Sequence, residues 1–522
     1  MTSPFFGRSI QVVRDLSVDE QAYLYDRTRA LKEALQSRDR ESIARFVINA
    51  DGVGAYLFFM EDSTRTKESF RNAVKFHGLK LNDFGTSGSS FNKSESITDT
   101  FRMLVSYSDH SLFVVRTKLE GACRWLEESI GAYAERLGLQ RPSFINAGDG
   151  RHEHPTQEFL DEFTFLEQAG WDRSSIHVAL VGDLYHGRTA HSKVDGLSIF
   201  NEVRVDLVAP DELEMPPHYV SAMEAKGYDV RRYQSIAEYL AGRDVAPTWY
   251  FTRLQIERMG DRLLDRAAAL RDAVTFRRDF LSALPDGARF YHPLPRHRVT
   301  PTIPTFLDDL PVNGWAEQSI NGYYTRIIEI AMLAGHLGAD FVGTPRVVPD
   351  YPDDFVREVS AQSSRKPDYK IGIKPVDRGI VIDHIGRGGE PADIWNQIDK
   401  IRRILGLNLV SSHGVYSSRS GHYKGIVSLP TVDSLTDSEM KTLGAAAPGC
   451  TLNRVEDGRV VRKYRMEMPP RIYNLPGIAC SNEECISHPS HHEPVDPEFL
   501  RSGADRYLCK YCERPHEFGE LW

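Results

Sequence analysis

Apolar residues recur at helical spacing near the start of the chain, where Leu24, Leu31 and Leu35 share one face of a segment opened by Ser17 and Glu20. Those two residues have the three-residue spacing of a capping box, and together the signals predict a helix running from there toward Gln36. The pattern then shifts to short apolar runs at 55–59 and 111–115, with a helical stretch predicted over 66–77 between them. Strand, helix and strand in this order predict an α/β domain with a parallel sheet. A second such series follows: a long helix over 155–168, a buried strand over 177–181 running into Gly182-Asp183, an apolar run at 203–208, a helix through 219–226 and an apolar segment around 249–252.

From 340 to 370 the chain is rich in Pro, Asp and Ser with little apolar periodicity, which predicts a linker. Beyond it, short strands at 380–385, 426–429 and 459–465 with a helix over 390–405 predict an α+β unit, and Pro469-Pro470 marks the boundary of a small cysteine-containing module.

Composition changes this picture little. The 522 residues, 41% of them hydrophobic, suffice for about three or four domains. A net charge of -9 offers no nucleic-acid footprint. No segment reaches membrane-spanning length, and residues 1–15 lack a basic stretch followed by a sustained apolar one, so a cytoplasmic location is expected.

The polar clusters carry the chemistry. Ser63-Thr64-Arg65-Thr66 follows the apolar run at 56–60, and Arg116 follows the run ending at Val115, so both stand at predicted strand ends, where open α/β sheets bind ligands. Three hydroxyls, a guanidinium and the N–H groups of a helix start suit a phosphate dianion; a structural N-cap beside a surface arginine explains the tetrapeptide alone equally well. Arg116, Lys93 and Ser89 extend the set of cations and donors. His154, just ahead of Pro155-Thr156-Gln157, is placed to donate to a polarised carbonyl or simply to cap the helix. His152 and His154 lack the wider ligand pattern of a catalytic metal site. The segment 182–187 lacks the GxGxxG arrangement of a dinucleotide turn. Cys480, Cys485, Cys509 and Cys512 form C-x4-C-x23-C-x2-C, the arrangement of a tetrahedral structural Zn²⁺ site with no open position.

Taken in order, Phe58-Phe59-Met60-Glu61-Asp62-Ser63-Thr64-Arg65-Thr66, Asn146-Ala147-Gly148-Asp149-Gly150 leading to His154-Pro155-Thr156-Gln157, Val181-Gly182-Asp183 leading to Gly187-Arg188-Thr189, Thr252-Arg253-Leu254-Gln255 and His292-Pro293-Leu294-Pro295-Arg296 closely resemble the catalytic chain of aspartate carbamoyltransferase. The resemblance spans roughly residues 5 to 338 and implies the two-domain α/β carbamoyltransferase fold, with a carbamoyl phosphate-binding domain over 1–154 and an aspartate-binding domain over 155–339. By this resemblance Ser63, Thr64, Arg65, Thr66 and Arg116 hold carbamoyl phosphate, with Ser89 and Lys93 entering from a neighbouring subunit of a homotrimer. Thr66, Arg116 and His154 polarise the carbonyl, Gln157 and the backbone near Pro293 and Leu294 orient the amino group, and Arg188, Arg253, Gln255 and Lys93 grip L-aspartate. Glu61 organises Arg188 or Arg258. No catalytic metal, organic cofactor or covalent nucleophile is implied: the aspartate amine attacks the carbonyl carbon and phosphate leaves, so positioning and charge carry the reaction.

Residues 371–522 resemble the regulatory chain of the same enzyme, here joined to its catalytic counterpart, through Val381-Ile382-Asp383-His384-Ile385, Thr451-Leu452-Asn453-Arg454 and the four cysteines. This implies an α+β nucleotide-domain-like region over 371–468, a zinc-binding domain over 469–522, and an assembly in which two trimers join through the C-terminal domains. Asp383, His384 and Lys463 match effector positions, while Leu429 stands where regulated members carry a nucleotide-binding lysine, so a weak nucleotide response is expected. The competing readings are an ornithine carbamoyltransferase, which needs acidic or neutral groups for its distal amine, and a noncatalytic regulatory protein, which has no use for Arg65, Arg116, His154 and Arg188.

Overall fold

The computed structural model describes residues 3–49, 51–85, 95–242, 244–255, 266–361, 376–407, 412–417 and 421–522. They fall into two compact units, Met1–Val347 with Glu484–Ile486 and His491–Pro494, and Val348–Glu483 with Ser487–Ser490 and Val495–Trp522.

The first unit holds two parallel sheets. Strands β1 (Val53–Phe59), β2 (Lys80–Gly85), β3 (His110–Thr117) and β4 (Ser143–Asp149) pair in the order β2-β1-β3-β4. Strands β5 (Ser175–Val181), β6 (Glu202–Val208), β7 (Asp229–Tyr233), β8 (Thr248–Phe251) and β9 (Arg289–Tyr291) pair in the order β7-β6-β5-β8-β9. Every residue of β1 and β4 is buried, as a parallel sheet covered on both faces requires. The opening helix spans Val18–Ser37 with the expected capping box: Ser17 Oγ accepts from Glu20 N–H at 3.2 Å, and Glu20 accepts from Ser17 N–H at 2.8 Å. The helix Trp315–Leu333 returns to pack against the helices Val18–Ser37, Thr64–Phe76 and Pro155–Gln168.

Several elements lie outside the apolar pattern. The edge strand β2 carries Lys80, Asn82 and Asp83 without a buried face. β4 ends in Asn146-Ala147-Gly148-Asp149, residues of turn chemistry held in the strand because Asn146 donates its side-chain N–H to Gln11 O at 2.8 Å and to Asp149 Oδ1 at 2.9 Å.

The second unit is built on an antiparallel sheet of β10 (Val356–Val359), β11 (Gly379–Ile385), β12 (Ser412–Ser417), β13 (Tyr423–Leu429), β14 (Thr451–Glu456) and β15 (Arg459–Met466), in the order β10-β15-β14-β11-β13-β12. The helices Pro391–Ile404 and Asp437–Ala446 cover its apolar face, burying Ile380, Ile382, Ile394, Ile398, Val427, Leu429 and Leu443 in one core. The stretch 340–370 is therefore not linker throughout: its residues Val356–Val359 form an edge strand on β15, with Val356 and Val359 only half-buried. A small antiparallel sheet of β16 (Arg471–Tyr473), β17 (Glu498–Arg501), β18 (Arg506–Cys509) and β19 (Pro515–Glu517) completes the chain. Among the described residues no helix is long and apolar enough to cross a membrane.

Candidate active site

Both parallel sheets reverse their winding direction once, and both reversals open onto the same cavity. In the first sheet the reversal lies between β1 and β3, where Phe59 pairs with Arg116 and Met60 N–H donates to Arg116 O at 2.8 Å. In the second it lies between β5 and β8, where Val181 pairs with Phe251 and Thr252 N–H donates to Val181 O at 2.8 Å. Crevices of this kind, outside the carboxyl ends of strands, are where open α/β sheets bind ligands. Here they flank one cavity of about 450 Å³, lined from the first sheet by Ser63, Thr64, Arg65, Thr66 and Arg116, and from the second by Arg188, Arg253 and Gln255.

The capping alternative for Ser63 does not hold. Its side chain makes no capping hydrogen bond to the helix Thr64–Phe76, whose first turn carries no acidic residue. Ser63 and the first residues of that helix line the cavity.

Two guanidinium groups are fixed by backbone oxygens at the end of β4 and just beyond it. Arg116 Nη1 donates to Ala147 O at 3.0 Å, and Arg188 Nη1 donates to Gly150 O at 3.0 Å. Glu61 joins them, its Oε2 lying 3.4 Å from Arg116 Nη2 and 3.2 Å from Arg188 Nη2. Gly148, at φ +111°, lets them approach: a Cβ there would sit 2.9 Å from Arg188 Cζ and 3.0 Å from Arg116 Nη1.

His154 is 4% exposed at the start of the helix Pro155–Gln168. Its backbone N–H donates to Ser192 Oγ at 3.2 Å, and its Nδ1 lies 3.4 Å from Thr156 Oγ1. Burial, reinforced by Arg116, Arg188 and Arg326, holds its pKa well below the ordinary histidine value, so the ring is a neutral imidazole at physiological pH. Burial likewise pushes His292 down to about 3, and its neutral Nδ1 accepts from Leu294 N–H at 2.7 Å. Leu294 sits at φ 53°, a left-handed conformation costly for a branched side chain, which the bond to His292 helps to hold at the cavity wall beside Pro293.

Ser63, Thr64, Arg65, Thr66, Arg116, His154, Gln157, Arg188, Arg253, Gln255, Pro293 and Leu294 thus all line one cavity. Ser89, Lys93 and Arg258 lie outside the described residues. The sequence reading missed Arg326, a buried arginine on the helix Trp315–Leu333 that also lines the cavity, with Nη1 on Ser69 Oγ and its Nε and Nη2 without a hydrogen-bond partner among the described residues. Burial lowers its pKa to about 10. A charged residue at the head of the stretch 327–333, which is apolar but for Glu329, was the available signal.

In the second unit, Leu429 is fully buried in the apolar core. Lys424, earlier on the same strand, instead lies with its ammonium 3.1 Å from Asp383 Oδ1 and 3.3 Å from His384 Nε2, and Tyr416 donates to Asp383 Oδ1 at 2.8 Å. Lys424, Lys463 and Arg387 are the cations whose charge opposes a proton on His384. The sequence reading weighed the lost lysine and missed this one.

Cys480, Cys485, Cys509 and Cys512 are buried, unbridged and clustered, with sulfurs within 4.8 Å of one another. Cys480 Sγ and Cys512 Sγ are 3.7 Å apart, far beyond a disulfide and close to the ~3.8 Å edge of a tetrahedron with ~2.3 Å Zn–S bonds. The four thiols therefore fit a structural zinc ion.

The chain matches four families in succession: "Aspartate/ornithine carbamoyltransferase, carbamoyl-P binding domain" over residues 8–167, the corresponding "Asp/Orn binding domain" over 174–328, and the "allosteric domain" and "metal binding domain" of the aspartate carbamoyltransferase regulatory chain over 371–467 and 470–522. It is 52% identical to Protein PyrBI of Thermotoga maritima, over 100% of both chains, and 50% identical to Protein PyrBI of Treponema denticola, over 100% of this chain and 99% of that one. A crystal structure of aspartate transcarbamoylase from Trypanosoma cruzi with N-(phosphonacetyl)-L-aspartic acid is similar over 63% of this chain and 97% of that one, at 28% identity and a TM-score of 0.54. With two sheet crevices on one cationic cavity, and catalytic and regulatory regions in a single polypeptide, the chain belongs to the fused aspartate carbamoyltransferases, enzymes of pyrimidine biosynthesis that join carbamoyl phosphate and L-aspartate.

Proposed function

We propose that the cavity works as two anion sites with a neutral electrophilic wall between them. Ser63, Thr64, Arg65, Thr66 and Arg116 hold the phosphate of carbamoyl phosphate; Thr66, Arg116 and His154 donate to the carbamoyl oxygen; Gln157 and the backbone at Pro293 and Leu294 take the amino group; Arg188, Arg253 and Gln255 hold the aspartate carboxylates. The observation that carries this reading is the convergence of Arg116 and Arg188 on Glu61, which brings a phosphate-side and a carboxylate-side cation to one carboxylate. Attack by the amine builds negative charge on the carbamoyl oxygen, and donors already fixed there stabilise it without reorganising. In this reading the departing phosphate accepts the amine proton. The proposed division runs 1–154 for carbamoyl phosphate, 155–339 for aspartate, 371–468 for effectors and 469–522 for metal, in a cytoplasmic enzyme.

Ser89 and Lys93 of a neighbouring subunit complete the site in this reading, which requires a catalytic homotrimer and is compatible with two trimers joined through C-terminal domains. Arg65→Ala and Lys93→Ala enzymes, each nearly inactive alone, are expected to regain activity when their subunits are mixed, because some sites then combine an intact Arg65 with an intact Lys93. Verified mixed trimers without any regained activity would contradict the shared site.

Asp383, His384 and Lys463, with Lys424, are the proposed effector positions. Aspartate saturation curves with and without CTP or ATP are expected nearly to coincide, because Leu429 supplies no cation for the phosphates, and a large, reversible nucleotide-dependent shift would overturn that expectation. For the four cysteines, metal analysis is expected to find about one zinc per chain, and chelation to unfold the terminal module, which is too small to build a large core of its own. Full metal loss with the module's folding unchanged would contradict a structural role.

A further inference from the structure

Beneath the cavity floor, Lys193 is enclosed by three carboxylates, and all four side chains are inaccessible to solvent. Its ammonium lies 2.6 Å from Glu158 Oε2, 3.0 Å from Asp161 Oδ2 and 3.6 Å from Glu162 Oε1. Burial disfavours the charge, but the three carboxylates outweigh it and the lysine stays protonated. Burial raises the pKa values of Glu158 and Glu162.

Asp161 also reaches upward. Its Oδ1 accepts from Gln157 Nε2 at 2.8 Å and from Gln318 Nε2 at 2.6 Å, while Lys193 engages its Oδ2. Filled on both oxygens by donors, this carboxylate acts only as an acceptor and forces both glutamines to turn their NH₂ groups toward it. Each amide oxygen must then point away. Gln318 Oε1 accepts from His292 N–H at 2.9 Å, and His292 Nδ1 accepts from Leu294 N–H, which fixes the backbone on the far wall of the cavity. Gln157, which lines the cavity, is left with its amide oxygen as the cavity-facing acceptor.

We infer that Asp161 is a positioning residue for the carbamoyl group: by consuming the Gln157 NH₂ it presents an oxygen to the substrate's amino group, and through Gln318 and His292 it sets the opposite wall. The inference rests on the proposed role of Gln157. It predicts that the enzyme tells an amino group from a methyl group through Asp161.

Acetyl phosphate, with a methyl in place of the amino group, is the probe. Its competitive inhibition constant is compared with the KM for carbamoyl phosphate in wild type, Gln157→Ala, Asp161→Asn and the double variant. With asparagine at 161 the donor-only ammonium of Lys193 claims the single amide oxygen, so the new NH₂ faces the two glutamines and turns their oxygens toward it, and Asp161→Asn is expected to shrink the preference for carbamoyl over acetyl phosphate about tenfold. Gln157→Ala should shrink it similarly, and the double variant no further. A general loosening of the fold would weaken both ligands together. If Gln157→Ala changes the preference and Asp161→Asn does not, the inference fails while the Gln157 assignment stands; if neither changes it, both fail. Should the single variant not fold, Asp161→Leu, which removes both acceptor oxygens and leaves Lys193 paired with Glu158 and Glu162, is held to the same expectation.

Discussion

Replacing His154 by alanine is expected to lower turnover by roughly 10²- to 10³-fold while leaving the fold intact, the cost of deleting one preorganised donor to a developing oxyanion. The ring reaches the reaction as a neutral imidazole because it is buried and faces three arginines, Arg116, Arg188 and Arg326, each of which opposes a second proton. The direction of that shift has a kinetic consequence. A histidine acting as general base with a pKa near 7 would make the wild-type-to-variant ratio of turnover rise with pH as the ring lost its proton. With the pKa held well below its ordinary value, His154 keeps one protonation state from about pH 6 to about pH 8, and the ratio should stay level. Stopped-time assays of both enzymes at saturating substrates across this range read it directly. A ratio that climbs through neutrality would recast His154 as a base, and unchanged turnover in the folded variant would remove it from the reaction.

The same arginines explain why the site was legible in the sequence and why parts of its support were not. Phosphate and carboxylate recognition uses loop residues in short contiguous runs, so Ser63-Thr64-Arg65-Thr66, Arg188 and Arg253-Leu254-Gln255 declare themselves by composition and by their place after apolar strands. Strands β1, β3 and β5 were equally visible through the apolar runs 55–59, 112–115 and 178–181, which are buried on both faces. Edge strands such as β2 and β7 were not, because half of each lies in solvent and carries ordinary surface residues. β10 was hidden within a proline- and aspartate-rich stretch, since four residues against β15 leave no periodic signature.

Residues that act through another residue were harder still. Asp161 and Gln318 lie 157 positions apart and meet only because the helices Pro155–Gln168 and Trp315–Leu333 pack together. Glu61 is the intermediate case: its motif suggested a partner for Arg188, but its second partner, Arg116, depends on β1 and β3 being neighbours. Lys424 escaped because the comparison was made at Leu429, whereas a strand of alternating faces can offer its cation from another position.

The account turns on charge at the second-substrate site. Arg188 and Arg253 line the cavity from the second sheet, and of the two carboxylates that line it, Glu61 already pairs with Arg116 and Arg188 while Asp62 adjoins Ser63 on the first sheet's side. A dicarboxylate gains from both guanidinium groups, whereas the distal ammonium of ornithine would be repelled by them. At a separation near 4 Å and an intermediate dielectric each such interaction is worth about 4 kcal/mol before solvent screening, so discrimination on the order of 10³-fold is expected. The direct measurement is kcat/KM of the purified chain for L-aspartate and for L-ornithine with carbamoyl phosphate saturating. The account predicts N-carbamoyl-L-aspartate and phosphate in equal amounts with aspartate and almost no turnover with ornithine; a larger kcat/KM for ornithine would contradict it.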